Sequence, residues 1–179
     1  MRPNCTISPA QLYEDFFGPA VFRPLASALI DFAPPPRGGK VIDLACGTGI
    51  VARALAPLLG TQGEVLAVDV NPGMLAIGRA SPPPAGAPVS WMQADASTVV
   101  FPPQKFDAVY CQQGLQFFPD RAAALRAVRN ALKPGGFLVL AVWKGIEHHP
   151  LFRAFAEVEA RHLHDMDVTY EDAIASFSL

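Results

Sequence analysis

Apolar residues along this chain recur in two alternating patterns. Short unbroken runs at 41–45, 64–70, 89–92, 106–111 and 137–143, rich in β-branched and aromatic side chains, have the length of strands and predict five of them. Between them, 50–59, 72–80 and 121–132 carry Ala, Leu and Val three and four positions apart, with Arg interspersed, as amphipathic helices do. Asp120 is placed to cap the third of these helices, and Pro72 fits the first turn of the second. Pro and Gly punctuate the chain at 34–39, 81–88, 102–103 and 134–136, which read as turns or loops. Strand and helix therefore alternate, and the strands are too apolar to have a wet face. That pattern predicts a doubly wound α/β fold, Rossmann-like, with a mainly parallel sheet covered on both sides. Ahead of it, 11–32 holds Leu12, Phe16, Phe17, Phe22, Leu25, Leu29 and Ile30 and reads as one or two helices; behind it, 150–164 reads as another.

Composition narrows the class. A chain of 179 residues, 51% hydrophobic and 17% charged, forms one globular domain. It buries about 70% of its unfolded surface, enough to dispense with disulfide or metal staples. The formal charge of −2, without clustered Lys or Arg, argues against nucleic acid and anionic lipid as partners. No apolar run approaches the ~20 residues of a membrane span. Cys5, Cys46 and Cys111 show neither pairing nor metal-ligand spacing, so no metal site is expected and a cytoplasmic location fits.

The strongest chemical signal is the run Asp43, Leu44, Ala45, Cys46, Gly47, Thr48, Gly49, in which a strand enters a glycine turn that opens a helix. Such a loop lets a ligand approach the backbone and meet free N–H groups. Gly47-x-Gly49-x-x-Ala52 also fits the dinucleotide pattern, so the glycines alone leave a nicotinamide-dependent oxidoreductase open. Two acids weigh the other way. A carboxylate at Asp43 suits a ligand bearing an ammonium group better than a pyrophosphate. Asp69, 20 residues beyond Gly49, ends the second strand where a carboxylate accepts both hydrogen bonds of a ribose diol.

With these motifs the chain resembles the class I S-adenosylmethionine-dependent methyltransferases, in particular the ubiquinone/menaquinone-biosynthesis-like small-molecule group, over about residues 10–165. The Asp43 to Gly49 run is similar to that family's first motif, 68–75 to its second, 93–96 to its third, 106–113 to its fourth, and 132–136 leads into the fifth strand. The resemblance implies that Asp43, Ala45, Cys46, Gly47 and Gly49 surround the methionine part of S-adenosyl-L-methionine and that Asp69 takes the ribose. Val70 and Met74 would face the adenine, Asp95 and Ala96 its edge, and Gln112 would lie beside the methionine moiety. It also implies a helical cap at 1–33, a cofactor core at 40–143 and a helical, C-terminally incomplete 144–179, lacking the antiparallel hairpin strands that close the family's seven-stranded sheet.

Plainer readings stand beside these. Met74 fits a helix core, and Asp95 a turn cap. A sulfonium methyl is already activated, so the expected activity, in-line methyl transfer to a small organic acceptor, needs positioning more than a conspicuous catalytic residue. If the acceptor is acidic, a base helps, and Tyr13, His148 and His149 are the candidates. The two histidines equally suit a solvent-facing approach to the following helix, and His162 and His164 its surface. A small-molecule acceptor is the expected partner, with a homodimer open. The alternative to an enzyme is a non-catalytic methyltransferase-like module.

Overall fold

The computed structural model describes residues 8–145, 148–150 and 153–154. Cys5, His162, His164 and most of the helix expected at 150–164 lie outside them.

Among the described residues five strands form: β1 (Lys40–Leu44), β2 (Glu64–Asp69), β3 (Val89–Gln93), β4 (Phe106–Gln112) and β5 (Leu132–Ala141). All pair in parallel, in the order β3-β2-β1-β4-β5. The chain winds outward one way from β1 and then the other way from β4. The crevice at their carboxyl ends is therefore the switch point at which open α/β sheets bind ligands. Strands covered on both faces must be apolar throughout, and Val41, Ile42, Val65, Ala67, Val68, Ala108 and Val109 are buried. One core layer packs α2 (Arg23–Phe32) and α3 (Ile50–Leu59) on the sheet through Leu29, Ile30, Leu55 and Leu59; α4 (Pro72–Ala80) adds Leu75. The other face is covered by α5 (Arg121–Ala131) through Ala124, Val128 and Ala131.

Capping follows the sequence at two helices. Asn71 accepts from Gly73 N and Met74 N at the start of α4, and Asp120 from Ala123 N at the start of α5. Two elements depart from expectation. The turn read at 134–136 lies within β5, where the register jumps from Phe106 opposite Leu132 to Ala108 opposite Phe137; a bulge absorbs Pro134 and the positive φ of Gly135. The expected N-terminal helix is interrupted: a short α1 (Pro9–Leu12) leads into a ten-residue π-helical segment, Tyr13–Phe22, before α2. Pro19 lies inside that segment and offers no N–H to a tighter ladder. Among the described residues no helix is long and apolar enough to cross a membrane.

Trp91 on β3 shows why the loop's second glycine is there. A Cβ on Gly49 would meet the Trp91 ring at 2.3 Å and one on Gly78 at 2.5 Å, so the indole lies where α3 and α4 converge on the sheet. Gly49 also has φ 81°. Gly49→Ala is expected to destabilise the domain by about 2–4 kcal/mol, combining overpacking with left-handed strain. Thermal unfolding checks this, and Trp91→Phe in the same chain should recover part of the loss.

Candidate active site

The carboxyl ends of β1, β2, β3 and β4 surround a cleft of about 490 Å3. Each strand delivers a residue there because a parallel sheet ends its strands along one edge, and the loops beyond are built for that edge. Ala45, just past β1, has φ 57°, and Gly47 follows at φ 55°. These left-handed residues fold the glycine loop back over the end of β1.

The structure brings Tyr13, Ala45, Gly47, Asp69, Val70, Met74, Asp95, Ala96 and Gln112 together on this cleft. Asp69 Oδ2 accepts from Gly47 N at 2.7 Å and its Oδ1 from Asn71 N at 2.8 Å. One carboxylate thus ties the glycine loop to the start of α4 and keeps lone pairs toward the cleft. Asp95 Oδ1 accepts from Ser97 N at 2.7 Å, so this residue both caps a turn and lines the cleft. Val70 is 62% exposed along the wall, leaving apolar surface open to a flat ligand, with the Met74 thioether beside it. Gln112 Nε2 donates to Phe22 O at 3.1 Å, while its buried Oε1 has no partner. A buried acceptor left unmatched is costly unless a donor arrives.

Asp43, Cys46 and Gly49 lie behind the cleft wall. Asp43 is fully buried, and its Oδ2 accepts from Ala52 N at 2.8 Å in the first turn of α3. The helix N-cap is Gly49, which has no side chain, so a strand residue performs the capping. Burial, reinforced by the Asp69 charge, pushes the Asp43 carboxyl up to about 7 against the lowering effects of the Ala52 N–H and Arg53. Cys46 Sγ donates to Gly47 O, and burial raises its thiol well above the ordinary range. Burial likewise pushes Cys111 up to about 12, so neither thiol is a poised nucleophile.

Tyr13 comes from the N-terminal segment and stacks on Phe22 with ring centroids 4.7 Å apart. Burial, followed by the charges of Asp43, Glu14 and Asp69, holds its phenol far above the usual range, so it stays protonated and serves as a donor. His148 and His149 do not line the cleft. The His149 ring stands edge-on to Trp143 at 5.4 Å, and Trp143 does line it.

Sequence reasoning missed the far wall. Gln113 (φ 55°), Gly114 and the short 3-10 turn Leu115–Phe117 bring Phe117, Phe118 and Pro119 against the cleft. The usable signal was a Gln-Gln-Gly run directly after a strand, followed by aromatics too closely spaced for a helix. No Lys, Arg or His lines the cleft among the described residues, whereas two carboxylates do and a third lies behind.

Residues 41–136 match the family model described as a methyltransferase domain. The chain is similar to the ubiquinone/menaquinone biosynthesis C-methyltransferase UbiE of Shewanella oneidensis, 37% identical over 120 residues, covering 66% of this chain and 48% of that protein. For the UbiE of Yersinia enterocolitica the identity is 35% over 146 residues, covering 80% and 58%. The chain spans about half the length of these curated relatives. Among solved structures, an S-adenosylmethionine dependent methyltransferase from Mesorhizobium loti superposes with TM-score 0.59 at 32% identity, over 67% of this chain and 53% of that one. A second, from Aquifex aeolicus, shares the fold with TM-score 0.59 at 15% identity, over 86% and 82%.

Proposed function

The chain belongs to the methyltransferase-domain family, and from that premise we propose that it uses S-adenosyl-L-methionine to methylate a small organic acceptor by direct in-line displacement. The observation that carries the reading is the sign of the cleft. Asp69 and Asp95 line it, Asp43 is buried behind it, and no Lys, Arg or His of the described residues lines it. A ligand with a sulfonium and an ammonium group is welcome in such a field, and a dinucleotide diphosphate is not. The nicotinamide reading loses further ground at the loop. Gly47 N–H, which a pyrophosphate would need, already donates to Asp69, and Trp91 occupies the space beside Gly49.

The polar atoms present fit the cofactor. Asp69 would take the ribose diol, Asp95 the exocyclic amine of adenine between Val70 and Met74, and the unpartnered Gln112 Oε1 the α-ammonium. When bound, S-adenosylmethionine supplies an activated methyl group: the acceptor's electron pair bonds to its carbon as the carbon–sulfur bond breaks and that pair returns to sulfur. The protein's part is to align and to dry the site. Tyr13, Phe22, Phe117 and Trp143 line the cleft with aromatic surface. Tyr13, held protonated, orients an oxygen or nitrogen by donation and does not take the acceptor's proton. Neither His148 nor His149 lines the cleft, and His149 meets it only through the edge-on contact of its ring with Trp143, so among the described residues no histidine is brought to an acceptor bound there. The free, buried thiols Cys46 and Cys111 suit a reducing cytoplasm.

Gln112→Leu tests the assignment of the ammonium. It is expected to weaken S-adenosylhomocysteine about tenfold, the value of one hydrogen bond to a charged group. The variant also loses the bond from Gln112 Nε2 to Phe22 O, so 5′-methylthioadenosine, which lacks the amino-acid moiety, reports that shared loss and should weaken clearly less than S-adenosylhomocysteine. Equal losses for both ligands would place the amino-acid moiety elsewhere.

A further inference from the structure

We infer that the Glu14–Arg53 ion pair is a clasp: it positions the Tyr13–Phe22 segment over the cleft and so sets how long an adenosyl ligand stays bound, an inference that rests on the cofactor reading above. The segment cannot hold itself. A ten-residue π-helix is unusual in length, its hydrogen-bond geometry is poorer than that of an α-helix, and Pro19 removes one donor within it. Phe16 and Phe17 point outward, 60% and 52% exposed, and contribute little burial. Yet Tyr13 and Phe22, at its two ends, both line the cleft. Tyr13 lies over the glycine loop, where even a Cβ on Gly47 would be 4.0 Å from its hydroxyl.

Two polar ties fix those ends. At the far end Gln112 Nε2 donates to Phe22 O. At the near end Glu14 Oε1 meets Arg53 Nη2 at 2.6 Å and Arg23 Nη2 at 3.3 Å. The two arginines differ in kind. The Arg53 side chain is 17% exposed against 56% for Arg23, so only the Arg53 pair is shielded from water. Arg53 also donates to Thr48 O in the glycine loop and reaches Ser81 Oγ at 3.5 Å beside the end of α4. One guanidinium therefore joins the covering segment, the loop it covers and the helix beyond. Burial alone would raise the Glu14 carboxyl, but the nearby Thr48 hydroxyl, the hydrogen bond from Arg53 and the charges of Arg53 and Arg23 bring it below the ordinary range, so the pair is charged at neutral pH.

The test is a double-mutant cycle on the full chain with Glu14→Gln, Arg53→Gln and the double variant, with Arg23→Gln as the exposed-pair control. It reads S-adenosylhomocysteine dissociation by stopped-flow fluorescence and, without ligand, hydrogen exchange of the amides at 13–22. Each single variant is expected to speed dissociation about tenfold, the double to be no faster than the worse single, and Arg23→Gln to stay within about twofold. Exchange protection of 13–22 should fall in ligand-free Glu14→Gln, a variant that keeps the test decisive should Arg53→Gln fail to fold. Unchanged rates, or losses that simply add, overturn the clasp while leaving the cofactor reading intact. A folded parent chain that shows the exchange effect but binds no S-adenosylhomocysteine overturns the cofactor reading and the residence role with it.

Discussion

Asp69→Ala is expected to weaken S-adenosylhomocysteine by a hundredfold or more while leaving the chain folded. Three interactions depend on this carboxylate. Within the protein it accepts from Gly47 N at 2.7 Å and from Asn71 N at 2.8 Å, and these charge-assisted bonds hold the loop and α4 in register. Toward the cleft its remaining lone pairs are proposed to accept from the ribose diol, each bond to a charged acceptor being worth roughly 1.5–3 kcal/mol. Asp69 lies on a partly exposed strand end, so water can solvate the two N–H groups it leaves behind. The stability loss should therefore be about 1–2 kcal/mol, well short of the binding loss. Calorimetric titration of the variant, with a thermal melt alongside, separates the two. Asp69→Asn, which keeps an acceptor without the charge, should fall between Ala and the parent. A loss of binding no larger than the loss of stability would show Asp69 to be a scaffold residue only.

The second large effect is dependent on pH. Burial raises the Asp43 carboxyl to about 7 in the folded chain, from 3.8 when unfolded. The native state therefore holds a proton that the unfolded state has lost across that interval, and stability must fall as pH rises through it. Between pH 5 and pH 8 the loss is on the order of 3 kcal/mol, equivalent to roughly 5–10 °C in melting temperature for a domain of this size. Glu14 and Asp107 have lowered carboxyls and titrate below this window, so they do not mask it. Asp43→Asn retains an acceptor for Ala52 N–H and removes the charge. Its melting temperature should be flat between pH 5 and 8, where that of the parent chain declines. Binding should respond in the opposite sense. The ionised form attracts a cationic ligand, so affinity for S-adenosylmethionine is expected to rise with pH toward a plateau above about 7 in the parent and to change little in Asp43→Asn. A parent melting temperature that climbs from pH 5 to 8 would contradict this account of Asp43.

What the sequence revealed, and what it hid, divides along physical lines. The five strands, the order of strand and helix, the cap at Asp120 and the place of Pro72 in the first turn of α4 are local, and periodicity with capping chemistry makes them readable. Asp69, the last residue of β2, and Asp95, two residues past β3, line the cleft, as parallel strands that end along one edge direct them to do. Asp43, expected to point toward the ligand, turns back, and spacing cannot distinguish a carboxylate turned toward a ligand from one that caps a helix whose own N-cap is glycine. Asp107 illustrates the same ambiguity in the fourth motif. At the opposite edge of the sheet it accepts from Lys40 N at 2.8 Å and Lys133 Nζ at 2.7 Å, tying the starts of three strands together. The π-helical segment and the wall from Gln113 to Pro119 were illegible for another reason. Their shape is set by tertiary ties, such as Gln112 to Phe22 across the sheet edge, and not by any local period.

That the cleft takes an adenosyl ligand with an amino-acid moiety, and not a dinucleotide, is tested by calorimetric titration of the folded chain with S-adenosylhomocysteine, with NADH in parallel. Saturable one-to-one binding of S-adenosylhomocysteine and no heat from NADH are expected. Binding of NADH by a chain that ignores S-adenosylhomocysteine would contradict that reading.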